Sequence, residues 1–150
     1  MSVYFVDTSA LAKRYVPEIG SQWVISWILP EANHVVIISE LASVEFFSLL
    51  NRRVREGTLT ASSLAILQSN FLVHQEKDYL VVQLDNTVAI GALMLVNKYP
   101  LRTLDALQLS SALKAKALFD VPMTFVSADR NLLQAASAEG FVTDNPNDHP

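Results

Sequence analysis

The sequence predicts an α/β fold, a mostly parallel sheet flanked by helices, and three observations carry that prediction. Largely apolar runs of strand length recur at Val3–Val6, Val35–Ile38, Tyr79–Leu84 and Met123–Val126. Between successive runs lie segments with helical length and helix-end signals, the alternation that builds parallel sheets through crossover helices. No repeat, low-complexity segment or interior linker breaks the pattern, so residues 1–150 read as one domain.

The elements follow in order. Val3–Val6 runs into Asp7-Thr8-Ser9, a strand entering a helix start, and a short helix to about Tyr15 is stopped by Pro17. Ser21–Leu29 is a second helix and Val35–Ile38 a second buried strand. Ser39 is placed to cap a long helix that reaches Glu56 and closes at Gly57. Thr60 caps a helix to about Lys77, and Tyr79–Leu84 is the third strand. Asn86–Tyr99 is helical up to Pro100, and Thr103, as a cap, starts a helix to Phe119. Met123–Val126 is the fourth strand, and Asp129–Glu139 is a helix ended by Gly140. Phe141–Thr143 is a brief edge strand, and the Asn- and Pro-rich residues from about 144 to 150 form a loose tail.

Composition narrows the function. About half the residues are hydrophobic (51%), enough for a core in a chain of 150 residues without disulfides or a structural metal. The absence of cysteine excludes a thiolate zinc site and a cysteine nucleophile. The longest apolar stretch, Val88–Val96, is far short of the ~20 residues of a membrane span. The N-terminus lacks the basic region of a signal peptide, which points to a soluble, cytoplasmic protein. A formal charge of −4 argues against a broad basic surface for nucleic acid. It leaves room for an acidic nuclease site neutralised by divalent metal.

Four carboxylates stand out: Asp7, Glu45, Asp105 and Asp129. Asp7 and Asp129 each follow a strand, at the edge where open α/β sheets bind ligands. Each also suits a helix N-cap, and for either alone the two readings are evenly matched. Glu45 shares its helix face with Leu41, Ala42, Ser48 and Leu49, a costly place for a carboxylate unless it reaches water or meets a cation. Asp105 falls in the first turn of its helix, where the dipole favours negative charge. An ion pair with Arg102 is not expected to explain it.

Carboxylates brought into one pocket repel one another unless a cation is present. Oxygen-only ligands suit Mg²⁺ or Mn²⁺ over zinc. One or two such ions can activate water and stabilise the leaving oxygen in phosphodiester hydrolysis. His34, His74 and His149 lie away from the acidic segments. No Gly-x-Ser-x-Gly elbow, Walker loop or Gly-x-Gly-x-x-Gly fingerprint is present.

Val6-Asp7-Thr8-Ser9-Ala10-Leu11 resembles the opening of PIN domains, in particular VapC-type toxins of bacterial toxin–antitoxin pairs. Ser43-Val44-Glu45 matches the second acidic position, Leu101-Arg102-Thr103-Leu104-Asp105-Ala106-Leu107-Gln108-Leu109 looks like the third motif, and Phe125-Val126-Ser127-Ala128-Asp129-Arg130-Asn131-Leu132-Leu133 like the fourth. Gln108 departs from the pattern, which often has histidine there; the acidic set stays intact but substrate handling could change. The resemblance implies a PIN-like three-layer sandwich and Mg²⁺- or Mn²⁺-dependent endonuclease action on RNA. It implies that Asp7, Asp105 and Asp129 are the metal-side ligands, and that Glu45 binds metal through water or orients the attacking water. Thr8 or Ser9 would contribute a hydroxyl. It also implies a homodimer and a cognate antitoxin that covers the groove or inserts an arginine.

Lys13, Arg14, Arg102 and Arg130 flank the motifs and could steer phosphate, though ordinary surface charge explains each as well. Arg52-Arg53-Arg55 complements a helix C-terminus. Trp23 and Trp27 share a helix face, which suits packing or an interface better than base stacking. Two rival functions remain. A phosphatase or other phosphodiesterase is weakened because Ser9 stands where an aspartyl-phosphate hydrolase has its second Asp. A catalytically silent binding module has no need of four mutually repelling carboxylates.

Overall fold

The computed structural model describes all residues, 1–150. Its centre is a five-stranded sheet in the order β3-β2-β1-β4-β5, formed by β1 (Val3–Val6), β2 (Val35–Ser39), β3 (Tyr79–Val82), β4 (Met123–Val126) and β5 (Val142–Asp144). Every pairing is parallel, so the sheet is more uniform than the mostly parallel one expected. β1 pairs with β2 on one side and with β4 on the other, Val3 facing Val35 and Met123 in register. The chain therefore winds outward in opposite directions from β1, and the crevice beside its carboxyl end is a topological switch point.

Strand alternation separates two cores. Val3, Phe5, Ile37, Met123 and Phe125 face one layer of helices; Val6, Val36, Ile38 and Val126 face the other. The first layer holds α5 (Asn86–Lys98), α6 (Thr103–Lys116) and α7 (Arg130–Ala138). The second holds α1 (Thr8–Leu11), α2 (Ser21–Ile28), α3 (Leu41–Arg55) and α4 (Ala61–Lys77). Phe5 and Phe125, cross-strand partners, stack at 5.3 Å between ring centres. No helix is long and apolar enough to cross a membrane.

Helix ends differ from expectation in instructive ways. Ser39 remains the last residue of β2, and Glu40 occupies the cap position of α3; the Ser39 hydroxyl still accepts the Leu41 N–H at 3.1 Å. Arg102, not Thr103, precedes α6, with no side-chain cap. α1 gives way to a 3-10 turn at Ala12–Arg14, where the Tyr15 and Val16 N–H groups share the Ala12 carbonyl. β3 stops at Val82, opposite Ser39, the last residue of its partner β2; beyond it the Leu84 N–H donates to the Glu40 carboxylate. At the end of α3, Gly57 (φ 77°) and the Thr58 N–H bond to Arg53 O close the helix as a Schellman motif.

The tail expected to be loose is packed. After β5, Pro146–Asp148 forms a 3-10 turn; Asn145 is buried, and His149 stacks on Trp23 at 4.1 Å. Sequence polarity suggested a free end, but Asn145 caps this turn through the Asn147 N–H, and the turn seats on the start of α2. Gly20 makes that seat possible. Its φ of +85° disfavours any side chain, and a Cβ there would lie 2.3 Å from the Pro146 carbonyl oxygen. Gly20→Ala is expected to cost well over about 1 kcal/mol. Thermal unfolding checks this, and an unchanged Tm would mean the tail moves away without cost.

Candidate active site at the carboxyl edge of the sheet

Asp7 leaves β1 at the switch point, at the carboxyl edge of the sheet, and caps α1. Its Oδ1 accepts the Ala10 N–H at 3.1 Å and the Ser9 hydroxyl at 2.6 Å; its Oδ2 accepts the Ser127 hydroxyl at 2.8 Å. The neighbouring strand end is tied in the same way. Ser9 Oγ accepts the Ala128 N–H, and Ser127 Oγ accepts the Asp129 N–H. The Asp7 carboxyl is only 5% exposed. Burial pushes its pKa up to about 6, with Glu45 adding to the rise and the bonds from Ser9, Ser127 and Ala10 opposing it.

Glu45 comes from α3 and turns toward α1 and α6. Its Oε1 accepts the Thr8 hydroxyl and the Gln108 side-chain amide, each at 2.9 Å. Asp105 lies in the first turn of α6, as expected. Burial raises its pKa first; Asp129 and Glu45 raise it further, and Arg102 lowers it. Arg102 does pair with Asp105, contrary to expectation. The two are three residues apart and so neighbours on a helix surface, with Nε 3.8 Å from Oδ2. The Arg102 side chain is 88% exposed, so solvent screens that pair. Asp129 caps α7 through Oδ1, which accepts the Asn131 and Leu132 N–H groups at 2.9 and 3.1 Å.

Glu45 links the set: it accepts from Thr8, the residue after Asp7, and shares the wall of one groove with Asp105. Only Asp105 has a basic partner. No group of three carboxylates or histidines is close enough in this structure to close around one ion. The donor set still fits a hard divalent cation in kind: all oxygen, mutually repelling, with a buried carboxyl that no lysine or arginine neutralises. Mg²⁺ retains several waters, so protein oxygens need not fill its shell.

Two grooves meet at Glu45. One, of about 420 Å³, is lined by Thr8, Ser9, Glu45, Ser48 and Arg52. The other, of about 400 Å³, is lined by Glu45, Arg102 and Asp105. Arg52, read from sequence only as a dipole partner, therefore belongs to the site's wall. Its signal was its position seven residues after Glu45, two helical turns along one face. Gln108 and Ser127 were also missed as site partners, although both stand within the motifs.

Two basic candidates are corrected. Lys13 is 5% exposed at its side chain and donates to the Ile19 carbonyl and to Glu18. Arg14 is 7% exposed and donates to the Tyr79 hydroxyl at 2.6 Å while pairing with Asp78. The 3-10 turn turns both inward, where internal acceptors occupy them. Arg102 and Arg130 face solvent, Arg130 paired with Asp148 at 2.8 Å. The histidines engage Ser2, Tyr15 and Asp144 rather than the four carboxylates.

The Asp7 shift has a consequence for stability. Between its ordinary pKa of 3.8 and about 6, the folded state holds a proton that the unfolded chain has released. Metal-free stability should therefore fall as pH rises across that window, by up to about 3 kcal/mol, and level off above it. Asp7→Asn should remove this decline and be the more stable protein at pH 8. Urea unfolding in EDTA at pH 4 and 8 measures it, and equal slopes for the two proteins would contradict it.

Comparison with known proteins supplies a family. The family model described as PIN domain matches residues 4–138. No curated protein matches the sequence significantly. Among solved structures, PAE2754 from Pyrobaculum aerophilum superposes with a TM-score of 0.66 at 19% identity, over 95% of this chain and 89% of the other. VapBC2 from Rickettsia felis, bound to a promoter DNA fragment, gives 0.65 at 11% identity over 95% and 98%. VapC20 of Mycobacterium tuberculosis, described as a sarcin-ricin loop cleaving toxin, gives 0.63 at 18% identity over 93% and 96%. At these identities the likeness is one of fold.

Proposed function

The chain belongs to the PIN-domain family, and from that membership we propose that it is a divalent-metal-dependent endoribonuclease, the toxin of a toxin–antitoxin pair. The observation that carries the proposal is the set of four carboxylates at the carboxyl edge of the sheet, of which only Asp105 has a basic partner, and that partner is screened by solvent. Carboxylates gathered so are unfavourable in the metal-free protein and become useful when a cation joins them. Similarity in fold to toxins and toxin–antitoxin complexes supports the biological role.

In this reading Asp7, Asp105 and Asp129 would hold one or two Mg²⁺ or Mn²⁺ ions, and Glu45 would act through water. The bound metal supplies an activated water and neutralises charge on the phosphodiester. The protein's own residues do the rest. Ser9 and Ser127 hold both oxygens of Asp7. Thr8 and Gln108 hold one oxygen of Glu45, leaving Oε2 free of hydrogen bonds to orient the attacking water. Arg102 and Arg130, both exposed, flank the carboxylates where a phosphate backbone would lie. An antitoxin segment would cover the same grooves. In the homodimer, Ile90, Leu93 and Met94, exposed and spaced along one face of α5, are where a second copy would pack.

The test is cleavage of a panel of structured and single-stranded RNAs by antitoxin-free protein with Mg²⁺, Mn²⁺ or EDTA. Cleavage that requires the metal is expected. Cleavage that persists in EDTA, or metal binding with every RNA left intact, would overturn the reading.

A further inference from the structure

We propose that Gln108 is a positioning residue that holds Glu45 in its working orientation at the expense of fold stability, an inference that rests on the nuclease reading. The Gln108 amide is 2% exposed at the centre of the site, on α6 one turn after Asp105. Its Nε2 donates to Glu45 Oε1 at 2.9 Å and to Thr8 Oγ1 at 3.1 Å, and the Thr8 hydroxyl donates to the same Glu45 oxygen. Three side chains from α1, α3 and α6 therefore close a ring around one carboxylate oxygen.

Two features separate this ring from ordinary packing. Gln108 Oε1 is buried with no donor. A buried acceptor left unsatisfied lowers stability, and an apolar side chain of the same shape would avoid that cost. Flipping the amide would bring its oxygen against the Glu45 carboxylate, so the ring itself keeps Oε1 unpaired. The second feature is charge. A lysine or arginine here would neutralise Glu45 and compete with a divalent cation, whereas the amide supplies two N–H donors and no charge. It fixes Oε1, leaves Oε2 available and retains the full negative charge. Because Gln108 and Asp105 share α6, the same bonds set the placement of Asp105 relative to Glu45.

The experiment compares the wild type with Gln108→Met, which keeps length and volume but loses the donors, and Gln108→His, which restores an N–H. Gln108→Met is expected to lower kcat about 10- to 100-fold with little change in KM, the usual range for a residue that orients a metal-site group. Its metal-free Tm should equal or exceed that of the wild type, and its Tm rise on adding Mn²⁺ should be smaller. Gln108→His should recover most of the lost kcat. An unchanged kcat in Gln108→Met with an active wild type overturns the proposal. So does a fall in its metal-free Tm, which marks Gln108 as a packing residue whether or not RNA is cleaved. A wild type that shows no metal-dependent cleavage, with Gln108→Met still stable and still blunted in its response to Mn²⁺, would defeat the nuclease reading and keep the positioning role.

Discussion

Asp7→Asn is expected to reduce metal-dependent RNA cleavage by on the order of 10³-fold or more, the scale seen when one member of a cooperating catalytic set is removed. Asp7 is the most buried of the four carboxylates, and its oxygens take hydroxyl bonds from both strand ends that form the switch point. Asparagine keeps the shape and the cap but loses the charge that would face the cation. The loss should not grow in proportion when Asp105→Asn is added, because groups acting as a unit are far from additive. Initial rates on a labelled RNA measure it. The variant should also be at least as stable as the wild type without metal at pH 8, which separates lost chemistry from lost folding. Substantial cleavage by a folded Asp7→Asn protein would remove Asp7 from the catalytic set.

Phe71→Ala should cost about 3–5 kcal/mol, a large share of a typical domain's stability. α4 is long but buries only Phe71 fully. The ring sits among Tyr15, Phe46, Phe47 and Tyr79, with centre distances of 5.7, 5.1, 6.1 and 6.4 Å. Its removal leaves a cavity between α3, α4 and the start of β3 that aromatic neighbours cannot readily fill. Leu72, adjacent in sequence and 50% exposed, is the control; Leu72→Ala should change stability by no more than about 0.5 kcal/mol. Urea unfolding compares the two, and a cost for Phe71→Ala close to that of Leu72→Ala would show that α4 is held by other contacts.

How much was legible in the sequence depends on the range of the interactions involved. The strand cores, most helix spans and the four acidic positions could be read because each rests on local signals. Apolar runs of strand length, Asp after a strand, Thr60 as a cap and Gly57 past a helix end all act within a few residues. The family motifs added order to those signals, and the PIN-domain match over residues 4–138 bears the recognition out.

The sequence by itself therefore determined the α/β alternation, the apolar runs that become strands and the placing of Asp7 and Asp129 at one sheet edge. Only the tertiary structure decided what those groups touch. Lys13 and Arg14 read equally as phosphate-steering groups or as ordinary surface charge, yet both side chains are buried and held by Ile19, Glu18, Tyr79 and Asp78. The tail looks free, yet it packs against Gly20 and Trp23, more than a hundred residues away in the chain. Gln108 looks like a departure from a pattern, yet it joins Thr8 to Glu45 across three helices. Partners distant in sequence leave no periodicity or cap signal behind, because their contact energy appears only once the sheet has brought the helices together.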